Sequence, residues 1–323
     1  MDALTYAGDT ERLPDNEIVH TVRENICDQE PVAELFDRYH PAVVFHLAAE
    51  SHVDRSIDGP QAFVQTNVQG TLNLLQCATQ YWQNLSESDQ YEFRFIHIST
   101  DEVYGSLSFE DEPFTEDSPY RPSSPYAASK AASDHLVYSW WKTFNLPTIM
   151  THCSNNYGPW QFPEKLIPLM ISKALREENL PIYGDGSNIR DWIFVEDHVR
   201  ALLHIAEHSL PGERWNIGGE CEVSNLALVH HLCDQLDYLK PRPDGTSYRS
   251  LVVFVTDRPG HDLRYAINME KLKFKLHWNP QVSFDQGLTE TIEWYLQKQD
   301  WIQRTSDRAN YTQQSRLGLL TTP

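Results

Sequence analysis

The chain alternates short runs dense in apolar and β-branched residues with longer segments whose apolar residues recur every three to four positions. Runs of the first kind read as buried strands and segments of the second as amphipathic helices, a pattern that predicts an α/β protein with a parallel sheet. Strands are expected over residues 17–26, 42–49, 93–100 and 146–153, and helices over 33–39, 60–82 and 125–144. Farther on, residues 181–192 read as a strand, a tight loop and a returning strand. Helices are expected from 162 to about 176, from 195, over 224–236 and over 285–297. From 304 to 323 the pattern is polar and aperiodic, so a disordered tail is expected there.

One stretch of this pattern carries chemistry. Residues 93–100 crowd aromatic and β-branched side chains together without Gly or Pro, and Thr100, Asp101 and Glu102 stand at the carboxyl end. Ligands of open parallel sheets bind outside that end of the strands, which places a hydroxyl and two carboxylates to meet a substrate. Two adjacent acids standing alone would read as a solvated loop. A polar loop then leads to Pro125, which opens a helix whose first turns carry Tyr126 and Lys130. Four residues make about one turn, with roughly 5–6 Å between the two Cβ atoms. A free Tyr titrates near ~10, and bringing it to neutrality takes about 3 units, or roughly 4 kcal/mol, much of which a neighbouring ammonium can supply. Tyr126 so activated is a base for a sugar hydroxyl. Tyr138 and Lys142 repeat the spacing twelve residues on. That places them about 120° round the helix, so both pairs cannot face one site.

Composition narrows the setting. With 323 residues and 40% hydrophobic content the chain can bury a large core as one or two domains. No apolar run approaches the roughly 18 residues of a membrane span, and the amino terminus lacks a basic-then-apolar secretory pattern. A soluble, cytoplasmic protein without membrane partners is expected. A formal charge of −20 opposes nucleic-acid binding, so an anionic ligand must meet a local cluster of Arg and Lys. The cysteines, Cys27, Cys77, Cys153, Cys221 and Cys233, are odd in number and form no C-x-x-C pair; reduced, mostly buried thiols and no metal centre are expected. His230-His231 reads as ordinary surface or packing chemistry.

The motif Ser99-Thr100-Asp101-Glu102-Val103-Tyr104-Gly105, followed by Ser124-Pro125-Tyr126-Ala127-Ala128-Ser129-Lys130, resembles the extended short-chain dehydrogenase/reductase family and, within it, the dTDP-glucose 4,6-dehydratases. The Asp-Glu pair discriminates, because related epimerases need the hydroxyl and the Tyr-Lys pair but have no use for both acids. The likeness runs from Asp2 to about Leu296. It implies a Rossmann-type doubly wound parallel sheet with a smaller α/β substrate domain. Residues 1–157 would be the dinucleotide-binding domain, 158–303 mainly the nucleotide-sugar domain with segments returning to the first, and 304–323 a tail. NAD is the implied cofactor and dTDP-glucose the implied substrate. A homodimer is implied too, paired through the helices at 60–82 and 125–144.

The resemblance also assigns roles. Tyr126 takes the C4 hydroxyl proton, with Thr100 orienting that hydroxyl and Lys130 holding Tyr126 and the nicotinamide ribose. Glu102 removes the C5 proton and Asp101 protonates the departing C6 hydroxyl. Cofactor contacts are implied for Asp2, Asn25, Ile26, Ala48, Ala49, Ser51, Thr66 and Asn156, besides Tyr126 and Lys130. Asn67 either touches the cofactor or braces a helix interface. Substrate contacts are implied for Ser51, Thr100, Asn155, Lys165, Leu166, Pro181, Tyr183, Arg190, Asn225, Arg258 and His261. Arg190 is a candidate diphosphate clamp, since a guanidinium offers paired donors in one plane.

The start of the chain departs from the family pattern. Such folds open on a strand and a glycine-rich turn that holds the pyrophosphate, and no two of the 14 glycines here lie three apart. Residues 1–8 instead resemble the segment closing the second strand, with Asp2 as the ribose acceptor. About 30 residues, one strand and one helix, are therefore expected upstream of Met1 in complete relatives. The missing strand would be central, and its loss would leave a gap of about two spacings of ~4.8 Å. Other readings stay open: a sugar-nucleotide 4-epimerase or decarboxylase with the same oxidising machinery, or a nucleotide-sugar-binding remnant without catalysis.

Overall fold

The computed structural model describes residues 1–313. Before α1 (Gln29–Tyr39) the chain holds one short turn, Thr10–Arg12, and a single bridge between Asp2 and Arg23. The strand expected over 17–26 is not formed. Ile18 is 88% exposed, and Asn25 spends its side-chain oxygen on the Cys27 N–H in a turn that leads towards α1. Strands persist where a neighbour takes up their backbone groups, and the Asp2 N–H to Val22 O bond supplies little of that.

β1 (Val43–His46) is shorter than the expected 42–49, and Leu47 beyond it is 56% exposed. After α2 (Val53–Asp58), the helix expected over 60–82 is continuous but widened in its middle. It runs as α3 (Pro60–Phe63), a π-helical turn (Val64–Gly70) and α4 (Thr71–Gln83). The Thr71 hydroxyl takes the Asn67 carbonyl at 2.6 Å, which diverts it from the regular ladder. The Asn67 amide accepts from the Glu50 N–H at 2.8 Å and donates to the Glu50 carbonyl and the Ser129 hydroxyl at 3.0 and 2.8 Å. Asn67 is therefore a brace between the loop after β1 and the helix that follows β2.

Next come α5 (Glu87–Glu92), β2 (Arg94–Thr100), α6 (Pro125–Phe144), β3 (Thr148–Cys153), β4 (Asn155–Tyr157), α7 (Leu166–Leu175), β5 (Leu180–Tyr183) and β6 (Ile189–Phe194). The chain continues through α8 (Val195–His208), β7 (Arg214–Ile217), β8 (Glu222–Ser224), α9 (Asn225–Leu239), β9 (Val252–Val255), α10 (Glu270–Leu276), α11 (Phe284–Gln297) and α12 (Gln299–Gln313). β1, β2, β3 and β7 form a parallel sheet in the order β1-β2-β3-β7, in which Thr100 lies opposite Cys153. Phe36, Leu75, Phe95 and Val137 fill one face of that sheet under α1, α4 and α6. Ile96, Ile149, Ile205 and Leu272 fill the other under α8 and α10. Helices on both faces of a parallel sheet are the doubly wound arrangement.

A second core surrounds Ile171, Ile182, Leu232 and Ile292, drawn from α7, β5, α9 and α11. Here residues 181–192 do not fold back as a hairpin: β5 pairs in parallel with β9, and β6 pairs with β4 and β8. Gly184 and Gly186, at φ 57° and 75°, turn the chain out of one small sheet and into the other. The tail expected from 304 is helical as far as 313, as part of α12; residues 314–323 lie outside the described residues. Trp301 and Ile302 anchor α12 in the second core, while Trp301 Nε1 donates to Asp9 and Arg304 pairs with Glu11. Among the described residues no helix is long and apolar enough to cross a membrane.

Candidate active site

Thr100 ends β2 and caps the short turn Asp101–Tyr104, its hydroxyl oxygen accepting the Glu102 N–H at 3.3 Å. Gly105 closes the turn at φ 93°, where a Cβ would stand 2.5 Å from the Arg121 carbonyl oxygen. Only glycine fits, and the tight exit holds the two acids at the sheet's carboxyl end. On the facing helix Ser124 takes the Ala127 N–H and Pro125 occupies the first turn, so α6 starts where Tyr126 and Lys130 point inward. Both are buried, at 8% and 4% exposure.

These side chains share one neighbourhood. Burial holds Tyr126 well above the usual phenol range; Glu102, Cys153 and Asp101 add to this, and the Thr100 hydroxyl opposes it. Lys130 is held by β2. Its ammonium donates to the Ile98 carbonyl at 2.8 Å, and burial lowers its pKa against the pull of Asp134. The second pair lies elsewhere: Lys142 sits 5.7 Å over the Tyr138 ring, with Tyr138 46% exposed.

The two acids differ. Asp101 is 1% exposed, accepts the Thr100 hydroxyl at 3.3 Å on Oδ1, and has no partner at Oδ2. Burial pushes it well above the carboxylate range, Glu102 and Asp191 push further, and Arg190 opposes. For Glu102 burial also raises the pKa, but Arg258, Lys165 and Arg190 all pull it back.

Beneath Lys130 lies a polar hub. Asp134 accepts from His97 at 3.1 Å, His152 at 3.2 Å, the Ser99 hydroxyl at 2.8 Å and the Tyr120 hydroxyl at 3.0 Å. Despite burial, these donors hold its carboxyl far below the usual range. Asp134→Asn turns an N–H₂ towards groups that already donate, and is expected to cost about 2 kcal/mol, read from the denaturant midpoint. Burial lowers His97 to about 4, so its contribution is present above the unfolded value near ~6.5 and is lost as pH falls towards the folded one.

The family model described as GDP-mannose 4,6 dehydratase matches residues 1–291. The dTDP-glucose 4,6-dehydratase of Escherichia coli is 51% identical over 333 residues, 99% of this chain and 91% of that protein. That of Neisseria meningitidis serogroup B is 52% identical, over 94% of this chain and 87% of that protein. The chain belongs to the dTDP-glucose 4,6-dehydratase family. A solved member, DesIV from Streptomyces venezuelae with NAD bound, superposes with a TM-score of 0.85 at 40% identity, over 94% of this chain and 88% of that one. A UDP-glucose 4-epimerase of Thermotoga maritima reaches 0.80 at 29% identity, over 92% and 90%.

Around the dehydratase motif the other expected residues fall into two groups. Ala48, Ala49 and Ser51 are exposed past β1, and the Ser51 carbonyl takes the Lys165 ammonium at 2.6 Å. Thr66 is half-buried in the π turn, and Asn155 and Asn156 are half-buried in β4, the Asn156 amide donating to the Ser154 carbonyl at 3.1 Å. Arg258 bonds Asp54 at 3.1 Å, Tyr183 reaches the same carboxylate at 3.4 Å, and His261 bonds Asp257 at 2.6 Å. Leu166 and Pro181 are half-buried beside them in sequence. Arg190 is committed: its guanidinium donates to the Ile189 and Asp262 carbonyls and lies 4.3 Å from the Tyr265 ring centre.

The second group is turned to local structure. Asp2 is exposed and accepts the Leu4 N–H, Asn25 closes its turn, and Ile26 is core with its carbonyl held by Asn73. Asn225 opens α9, but Ser224 supplies the cap. Asp54, Asp134 and Asp191 were missed by sequence reasoning. Each is a single acid whose partners lie far along the chain, and no spacing signals it. Among the described residues no group of three or more His, Cys, Asp or Glu side chains is placed to hold a metal ion.

Proposed function

We propose that this chain dehydrates dTDP-glucose to dTDP-4-keto-6-deoxyglucose with NAD, by oxidation at C4, loss of water across C5 and C6, and return of hydrogen to C6. The contrast between the two acids carries this reading. Burial and two carboxylates favour the protonated form of Asp101, whereas Glu102, also raised by burial, has three cations favouring its ionised form. Neighbouring groups pushed apart in this way divide the work of donor and acceptor. A 4-epimerase would need the phenol and the hydroxyl but neither acid.

The residues present fit the nicotinamide half of NAD. Ala48 and Ala49 leave the end of β1 without bulk, and Asn156 Oδ1 is a buried acceptor without a partner. Ala48, Ala49, Ser51, Thr66, Tyr126, Lys130 and Asn156 would hold that half, with Asp2, Asn25 and Ile26 towards the adenosine. Bound NAD supplies the acceptor and later donor of hydrogen at C4 and C6. Tyr126, in the ionised form that the Thr100 hydroxyl favours, takes the C4 hydroxyl proton, with Thr100 orienting the oxygen. Glu102 takes the C5 proton made acidic by the new C4 ketone, and Asp101 gives its proton to the C6 oxygen as water leaves. Glu102 then returns its proton to C5. The proton gained by Tyr126 balances the one lost by Asp101.

Lys165 and Arg258 meet the diphosphate, with Arg190 behind them beside the acids. Ser51, Asn155, Leu166, Pro181, Tyr183, Asn225 and His261 line the nucleotide-sugar path. Residues 158–303 are mainly the substrate domain and 1–157 the cofactor domain. A second copy pairs through α4 and α6, the latter carrying exposed Tyr138 and Phe144. Incubation with dTDP-glucose and NAD, followed by mass spectrometry, is expected to show the loss of one water. Unchanged mass would favour epimerisation, and loss of carbon dioxide from a uronic acid analogue would favour decarboxylation.

A further inference from the structure

Asp191 touches nothing in the reaction just described, yet it is 2% exposed. It follows Arg190 in β6, and its two oxygens accept the Gly219 N–H at 3.1 Å and the Cys221 N–H at 2.7 Å, both from the loop between β7 and β8. Gly218 makes the room: a Cβ there would stand 2.4 Å from Asp191 Oδ2. The strand register carries this carboxylate towards the catalytic turn. Thr100 lies opposite Cys153 across β2 and β3, and Asn155 lies opposite Trp192 across β4 and β6. Asp191 thus lies across from Ser154, the residue that links β3, neighbour of the strand that leads to Asp101, to β4.

Two enclosed carboxyls here have unequal support. Asp191 has two fixed amide donors, whereas Asp101 has one weak hydroxyl contact and a bare oxygen. Like charges at close quarters do not both ionise, and the charge settles where donors already point. We propose that Asp191 is a positioning residue for water loss, a fixed buried negative charge that keeps Asp101 in its proton-carrying form until the C6 hydroxyl departs. This rests on the reading of Asp101 as the acid.

Glu102 presses on Asp101 in the same direction as Asp191, but it gives up its charge when it takes the C5 proton, which leaves Asp191 as the charge that persists. Arg190 opposes both acids, while burial raises Tyr104 and Cys153, Cys153 being pushed up to about 12. Burial raises Asp191 to about 6 against its backbone donors and Ser154, so it is ionised through the neutral range. At neutral pH and above, Asp101 therefore has a charged neighbour.

The test is the pH dependence of water loss in the full chain, for the wild type and Asp191→Asn. The donor form of Asp101 disappears as pH rises through its pKa. Removing the neighbouring charge lowers that pKa, so the alkaline fall in rate is expected about one pH unit lower. Asp191→Glu keeps the charge and should keep the wild-type limb. Asp191→Ser, which leaves space for water at the two amides, is the second neutral variant and should shift as asparagine does. A rate lowered equally at all pH values in both neutral variants overturns the proposal. So does absence, at neutral pH in the wild type, of a protonated-carboxyl infrared band that Asp101→Asn removes. A wild type that yields no dehydrated product overturns the dehydratase reading instead.

Discussion

Glu102→Gln is expected to lower water loss by about 10²–10⁴-fold while leaving nucleotide-sugar binding nearly unchanged, because glutamine keeps the volume and hydrogen bonds but cannot take the C5 proton. Three cations, Arg258, Lys165 and Arg190, surround this carboxylate and lose their counter-charge in the variant. Binding of an anionic ligand should therefore not weaken. The decisive measurement is hydrogen exchange at C5 in heavy water alongside turnover. If exchange survives in the glutamine variant, the proton is being removed by another group.

Tyr126→Phe acts one step earlier. Removal of the hydroxyl takes away the acceptor for the C4 proton, and a fall of about 10²–10⁴-fold is expected in the oxidation itself, with KM for the sugar nucleotide little changed. Phenylalanine keeps the packing against Phe63, whose ring lies 6.3 Å away, so the fold should not suffer. Single-turnover formation of reduced cofactor separates this variant from Glu102→Gln, which should still oxidise C4. Equal loss of that signal in both variants would contradict the order of steps.

The strand that bears the Thr-Asp-Glu motif, its turn and α6 were legible because their signals are local. Residues 93–100 carry their own β pattern, and Ser124-Pro125 mark a helix start that sets Tyr126 and Lys130 inward. The same locality picked Tyr126 over Tyr138. What could not be read depends on distant partners. Residues 17–26 have strand-like composition but no neighbour to complete the pairing, and residues 181–192 look like a hairpin until β9, some seventy positions later, claims β5. α12 escaped notice because its few apolar residues matter only against the second core and Asp9. The ion pair of Asp54 with Arg258 and the amide cradle of Asp191 are likewise invisible before folding.

The inner side of α6 carries polar ties beside the apolar packing of Ala131 and Val137. Ser129, Lys130 and Asp134 are buried there and reach other elements: Ser129 accepts from Asn67, Lys130 donates to the Ile98 carbonyl and Asp134 accepts from Ser99. Apolar contact tolerates sliding, whereas hydrogen bonds fix angle and depth together. This helix is consequently aligned like a key in a warded lock, and Ser129→Ala, which strips the Asn67 amide of a partner, should cost stability and loosen the seat of the phenol together.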